Sequence, residues 1–346
     1  MPRPFCRIAG GLLLFWSWSC SRGEPRLTIT TEHRVMMDTD VAITVYAPPA
    51  DSSARIHQDI ERAFAAFNRI DSLMSSYRDD SEVAKINRRA AGEAVPITAA
   101  MDSVVQTSLW ASRLSAGAFD ITIAPVLWLW GFGTDHLGLP DSQRIADALP
   151  LVGYRHLVAG NGTLHFLQTG MGIDLGGVAK GYAVDVAVET LARAGYRDVM
   201  IKAGGDLRAR SSPLTRGRRH IWIQHPRAAD KFFGKFLFDE GAVSTSGDYE
   251  RFFEVEGVRY HHVMDPQTGY PARRAVSATV LARHSVTADA LDNALFVLGP
   301  ERGIALADSL PGIEAVVLSI VADKIQWRAT RGLAGRLEII EDRAKP

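Results

Sequence analysis

The chain has 346 residues, 47% of them hydrophobic, with 39 basic and 39 acidic side chains. That is a globular composition with enough apolar material for one large core or two small ones. Balanced charge and an ordinary 8% of aromatics exclude the basic stripe and the base-stacking face of a nucleic-acid binder.

The first residues differ from the rest. Arg3 and Arg7 precede an apolar run from Ile8 to Trp18, and small residues lead to Cys20. A short positive region, a short apolar region and a small-residue exit read as a secretory signal over residues 1–19. The run is too short to span a bilayer comfortably. Bacterial lipoproteins are cut just before a cysteine that then receives lipid. Cys20 after Ser19 fits that position, with residues 20–30 as a flexible tether. The alternative is an ordinary signal cut nearby. The expected address is the cell envelope on the periplasmic side, held to a membrane by a lipid anchor. Either cut removes Cys6, so no internal disulfide is expected.

Residues 31–346 read as the working domain. Thr28 to Tyr46 is β-rich. From Ser53 to Ser75, apolar residues at Ile56, Ile60, Ala63, Phe64, Phe67, Ile70 and Met74 keep helical spacing. A second helix runs from Thr98 to about Ser115 and stops at Gly117. Leu164 to Leu175 reads as strand, and a helix from about Val178 ends near Gly195. Val199–Lys202 and Ile221–Ile223 are strands, and Phe236–Ser246 and Arg251–Met264 are further strands with turns between. A helix from about Val286 to Leu298 stops at Gly299. Helices and strands mixed without strict alternation predict an α+β fold, with a soft boundary near Gly160 between two lobes.

Five segments carry possible chemistry. In DLGGVAKGYAVD, residues 174–185, a strand ends, two glycines turn the chain and a helix begins. Exposed N–H groups at such a start attract phosphate, and Lys180 adds charge. The spacing is neither Walker nor GxGxxG, and such glycines are more often structural. In TADALDNA, residues 287–294, Asp289, Asp292 and Asn293 share one helix face and offer hard oxygens suited to magnesium. Taken alone, a solvated helix start with Asp289 favoured by the helix dipole is the commoner explanation. In HHVMDPQTGYPA, residues 261–272, a strand runs into a turn. Neighbours on a strand face opposite ways, so His261 and His262 do not share a metal, and one of them could be a general base. AGGD at 203–206 resembles a turn presenting a carboxylate, and residues 243–251 a small-residue loop facing a ligand. No nucleophile elbow and no CxxC are present.

Together these segments resemble one family, the ApbE-type FAD:protein FMN transferases. The likeness runs from Val35 to about Gly299 and includes STSGDYERFF at 244–253, LMSSYRDDSEVAKINR at 73–88 and SAGAFDITIAPVLWLWGFG at 115–133. The resemblance implies two intertwined α/β lobes with FAD between them. It implies that Met37, Tyr77, Ala118, Phe119, Asp120, Gly176, Lys180, Tyr182 and Val263 line the FAD pocket. It implies Mg2+ held by the Ala179 carbonyl and by Asp289, Asp292 and Asn293, with His262 needed for transfer. The implied partner is an acceptor protein, part of an electron-transfer or respiratory complex, flavinylated on a serine or threonine. Two departures stand out. Asn293 replaces a usual threonine, and Met37-Asp38-Thr39 replaces Met-Gly-Thr. A magnesium-dependent FAD hydrolase and a non-catalytic flavin-binding lipoprotein are the alternative readings.

Overall fold

The computed structural model describes residues 27–340 apart from 133, 135 and 218. The expected signal segment and Cys20 lie outside these residues, and strand structure begins at Thr28, inside the expected tether. Among the described residues no helix is long and apolar enough to cross a membrane.

The frame is an eight-stranded sheet. Its strands are β1 (Thr28–Met36), β2 (Thr39–Ala47), β3 (Asp198–Ala203), β4 (Asp206–Arg210), β5 (Gly241–Gly247), β6 (Ser277–Ala282), β7 (Glu314–Val321) and β8 (Lys324–Ala329). They neighbour one another in chain order and every pair is antiparallel. An antiparallel meander needs no crossover helices, so the helices come as insertions. Residues 48–197 enter between β2 and β3 and include α1 (Ser53–Met74), α2 (Ala99–Leu114) and α3 (Ala179–Arg193). Between β6 and β7 runs α4 (Ser285–Asp308). This is the α+β class expected from the sequence.

The helices cover one face of the sheet. Val41, Ile43 and Val45 of β2 join Phe64 and Phe67 of α1, Val184 of α3 and Leu291 and Leu295 of α4 in the main core. The other face packs Val243, Leu281 and Val316 against Ile223, Phe233 and Phe236 of a small three-stranded sheet. Because β6 and β7 are covered on both sides, they read as largely apolar runs rather than alternating ones. A third cluster gathers Trp130, Val126, Ile145 and Met264, with Phe253 and Tyr260 against it.

Helix ends follow local chemistry. Ser52 and Thr98 accept the N–H groups of Arg55 and Met101 as N-caps. The predicted stop at Gly299 is a break inside α4. Gly299 has φ 79°, Pro300 follows, and the helix restarts in the next residues. The predicted strand Leu164–Leu175 is cut short, since strand pairing ends at Phe166. Beyond it comes a mostly exposed turn at 167–170, then residues 171–175, largely buried but outside any ladder, whose bonds go elsewhere. Ile173 N–H donates to Asn87 and Asp174 N–H to the Ile121 carbonyl. Residues 241–247 are strand β5, in line with the strand reading of Phe236–Ser246 and not with the loop also read over 243–251.

Thr28–Tyr46 resolves into a hairpin whose two turn residues, Met37 and Asp38, have φ 48° and 57°. Positive φ at both central positions is the type I′ geometry, where glycine is favoured second and aspartate is tolerated. Asp38→Gly is expected to stabilise the chain by about 1 kcal/mol through relief of this backbone cost, read as a higher urea midpoint at unchanged slope. A lower midpoint would mean that the Asp38 side chain makes a contact worth more than the strain.

Candidate active site

The site forms where α3, α4, β4 and β5 meet. The last glycine of DLGGVAKG, Gly181, brings α3 against α4. A Cβ on Gly181 would lie 2.5 Å from the Ser285 carbonyl oxygen and 2.8 Å from the Asp289 Cβ, so only glycine admits this approach. The Gly181 N–H then donates to Asp289 Oδ2 at 2.9 Å. Lys180, one residue earlier, reaches Asp206 Oδ2 at 3.4 Å, Asp289 Oδ1 at 3.8 Å and the Gly176 carbonyl at 3.3 Å.

Asp289 and Asp292 are buried, at 2% and 1% exposure, which rules out the solvated helix start. Asp289 also lies beyond the first turn of α4. Asp206, from the turn joining β3 and β4, is buried with them. Ser244 on β5 stands between two of the acids, its Oγ 2.7 Å from Asp206 Oδ1 and 2.6 Å from Asp292 Oδ2. Ser246, two residues on and therefore on the same face of the strand, donates to Asp292 Oδ1 at 3.1 Å. Burial first, and then the charge of Asp206, pushes the Asp289 carboxyl up to about 7, against the pull of Lys180. Asp292 is raised well above the usual carboxylate range by burial and by Asp289 and Asp206. Burial alone would lower Lys180, but Asp289, Asp206 and Asp292 outweigh it and hold the ammonium above its ordinary value.

Such a cluster favours a cation. Among the described residues no three His, Cys, Asp or Glu side chains converge into a metal cage. Magnesium asks for less, one or two carboxylates completed by waters and a substrate phosphate. The Asn293 Nδ2 lies 2.9 Å from the Asp289 carbonyl, 2.9 Å from Asp292 Oδ1 and 3.4 Å from the Gly177 carbonyl. Hard oxygens therefore already converge on the amide. Turning the amide by half a revolution would present Oδ1 as a further oxygen donor, so the residues present fit magnesium.

The expected pocket residues divide. A Cβ on Gly177 would meet Asn293 at 3.2 Å and Phe119 at 3.3 Å, which puts Phe119 and the neighbouring Ala118 beside the cluster. Gly176 donates its N–H to Asp174, whose other oxygen accepts from Ser76. The next residue, Tyr77, is 54% exposed and reaches the Phe132 carbonyl at 3.3 Å. Burial and then Asp174 raise its phenol, and Asp38 contributes, while Met37, beside Asp38 on the turn, packs against the main core. Ala179, buried, opens α3. Asp120 is buried and its carboxylate is taken up by Thr122 and the Tyr154 N–H, a loop-holding arrangement. Tyr182 lies two residues from Lys180, on the opposite face of α3, where its hydroxyl pairs with Ser103 of α2.

The histidine pair separates cleanly. His261 ends the hairpin of Phe252–Val255 and Val258–His261. It is buried, its Nε2 donates to the Ala272 carbonyl at 2.9 Å, and its Nδ1 accepts from the Val263 N–H at 3.3 Å. Both nitrogens are engaged. His262, half-buried just past the strand, packs edge-on to Phe132 and has Nδ1 3.3 Å from the Arg251 carbonyl. A carbonyl only accepts, so Nδ1 carries the proton and Nε2 keeps its lone pair. Among the described residues Nε2 has no hydrogen bond. Burial and then His261 push His262 down to about 3, with Arg251 and Lys180 adding to the effect, so it is neutral at pH 7. Burial likewise lowers His261, to about 4.

Sequence reasoning placed Asp206 on a turn and Ser244 and Ser246 in a possible ligand-facing segment, but did not join them to the acids of α4, and it gave Asp185 no role. Period-two spacing of the serines on a strand was the available signal. Two surface hollows, of about 410 Å³ beside Val158 and His165 and about 550 Å³ beside Arg113 and Arg155, lie apart from this cluster.

Comparison with known proteins gives the chain its relatives. The model of the ApbE family matches residues 37–317. A FAD:protein FMN transferase of Treponema pallidum is 32% identical over 94% of this chain and 93% of its own length. One from Vibrio cholerae is 33% identical over 77% of this chain and 80% of its own length. The crystal structure of the ApbE protein of Thermotoga maritima superposes with a TM-score of 0.80 at 31% identity, covering 89% of this chain and 99% of its own. The flavin transferase ApbE of Vibrio cholerae gives 0.80 at 28% identity, covering 90% and 100%. With the family model matching most of its length and these folds superposing on its own, the chain belongs to the ApbE family.

Proposed function

We propose that this chain is a FAD:protein FMN transferase that moves the FMN portion of FAD to a serine or threonine hydroxyl of an acceptor protein and releases AMP. Family membership and the names of its relatives support the activity. The observation that carries the chemistry is the histidine with a free Nε2 within electrostatic reach of Lys180, which itself pairs with the buried carboxylates.

Asp289, Asp292, Asn293 and the Ala179 carbonyl would hold magnesium. When bound, it would neutralise the diphosphate and stabilise charge on the departing AMP oxygen. The Lys180 ammonium, half-buried beside the acids, supplies fixed positive charge near the diphosphate. His262 Nε2 takes the proton of the acceptor hydroxyl as its oxygen bonds to the phosphorus on the flavin side. The bond from that phosphorus to the bridging oxygen breaks, and AMP leaves with the oxygen. A base pushed down to about 3 holds a proton weakly in the ligand-free protein. The anionic diphosphate beside it raises that affinity when FAD is present.

We also propose an envelope location on the periplasmic side, with the mature chain lipid-anchored through Cys20 and its partner an electron-transfer protein. The support is the Arg3–Cys20 segment, which lies outside the described residues. Wild type expressed in bacteria is expected in the membrane fraction and Cys20→Ala outside it or uncut. A freely soluble wild type would remove the anchor.

The function is tested by incubating the mature chain with FAD and magnesium, with and without an acceptor flavoprotein. An acceptor mass increase matching FMN, with stoichiometric AMP, is expected. Free FMN and AMP without acceptor labelling would make the chain a hydrolase, and no turnover a flavin binder. In single turnover His262→Ala should lose about a hundred- to ten-thousand-fold in rate while still binding FAD. His261→Ala should act mainly through stability, since its bonds hold Val263 and Ala272. Equal rate losses in folded proteins would overturn the assignment.

Magnesium binding should release protons. Metal ligation needs the ionised carboxylate, and Asp289 is pushed up to about 7. Apparent magnesium affinity should therefore be roughly constant above pH 8. It should fall by up to about tenfold per pH unit, for each proton displaced, below 7. Calorimetric titrations from pH 8.5 to 6 would show this, and a flat affinity would remove the carboxylates from the site.

A further inference from the structure

Asp185, the last residue of the motif that opens α3, touches neither the carboxylate cluster nor the histidine, yet it is buried and fully engaged. Its Oδ1 accepts the Ser285 N–H at 2.9 Å and its Oδ2 the Val286 N–H at 3.0 Å. These are first-turn N–H groups of α4, which lack partners within the helix. The α4 N-cap residue, His284, makes no side-chain cap. The cap for α4 is therefore supplied from another helix. Arg208 on β4 holds the Asp185 carboxylate in place, Nη1 to Oδ1 at 2.9 Å, and bonds Glu189 with its other nitrogen.

The bonds form a two-rung ladder. Gly181 and Asp185 are four apart on one face of α3, and Ser285 and Asp289 are four apart on one face of α4. The first rung is Gly181 N–H to Asp289 Oδ2, and the second is Asp185 to Ser285 and Val286. Two rungs at that spacing fix both the axial register and the rotation of α4 against α3. In the proposed site one donor, the Ala179 carbonyl, belongs to α3 and the others to α4. A slip of one residue moves a helix about 1.5 Å, whereas metal ligand distances tolerate about 0.2 Å.

We infer that Asp185 is a positioning residue for the divalent-cation site, setting the register of the ligand-bearing helix from α3 without contacting the metal. The inference rests on the magnesium reading above. Removing outer partners of this kind weakens metal binding about ten- to a hundredfold.

The test is magnesium titration of the purified mature chain by calorimetry, with thermal unfolding measured in parallel. Asp185→Ala should raise the magnesium Kd about ten- to a hundredfold, and Asp185→Asn, which keeps one acceptor oxygen, by less. His284→Asp added to Asp185→Ala would give α4 its own N-cap. It should recover thermal stability without recovering magnesium affinity. If Asp185→Ala is poorly folded, Asp185→Asn and the double variant carry the test. A wild type that does not bind magnesium would sink the metal site itself. With wild type binding, an unchanged Kd in the Asp185 variants, or affinity that returns with the local cap, would overturn the positioning role.

Discussion

Three carboxylates, Asp206, Asp289 and Asp292, are buried around one ammonium, Lys180, and the rest of the site is arranged to make that burial tolerable. Unpaired buried charge is among the most destabilising features a fold can contain. Here the Gly181 N–H, the Ser244 and Ser246 hydroxyls and the Asn293 amide all point at carboxylate oxygens. One hydroxyl has one proton, so Ser244 cannot donate to Asp206 and Asp292 together. Its two short contacts require a carboxyl proton in the second bond, which agrees with the upward push on Asp292. Sharing one hydroxyl between two acids therefore favours a partly protonated cluster.

The meander makes this convergence possible. Asp206 sits at the turn between β3 and β4, and β5, which carries both serines, pairs with β4. The acids of α4 arrive from the crossing between β6 and β7, and Lys180 from the long insertion after β2. Contributions from four distant stretches meet because the sheet lies under both helices. The glycine at 181 lets α3 and α4 touch at the level of Asp289. The serines fell under both a strand and a loop reading, because small polar side chains lower strand propensity. They occupy a strand because their hydroxyls have carboxylates to serve.

Helices were the most legible part. The apolar spacing of α1 and α2 gives their extents to within a residue or two, and Gly117, Gly195 and Gly299 mark breaks that the chain does make. Period-two patterning misled at residues 167–175, where Met171, Ile173 and Leu175 are buried by an extended chain outside any ladder. The one-face reading of Asp289, Asp292 and Asn293 was legible, but their burial was not, because helix periodicity cannot tell a polar face turned to solvent from one turned to a second polar cluster. Asp185 was invisible for a related reason. Its partners are backbone N–H groups a hundred residues away, and the sequence shows only an acid inside a helix.

The adjacent histidines show how a backbone detail assigns chemistry. His261 is the last residue of a strand, and its side chain turns inward against Phe296. Its ring accepts from one backbone N–H and donates to a carbonyl, so it holds the exit of the hairpin in shape and has no lone pair to offer. That fixed exit directs His262 the other way. Its main-chain N–H donates to the Arg251 carbonyl at 3.1 Å, and its Nδ1–H is directed at the same oxygen. One acceptor therefore anchors both backbone and ring and fixes the tautomer. The ring is neutral because burial and nearby positive groups oppose its protonation, which leaves Nε2 available as a base. The two residues divide their nitrogens: His261 spends both on geometry, and His262, among the described residues, keeps Nε2 without a hydrogen bond.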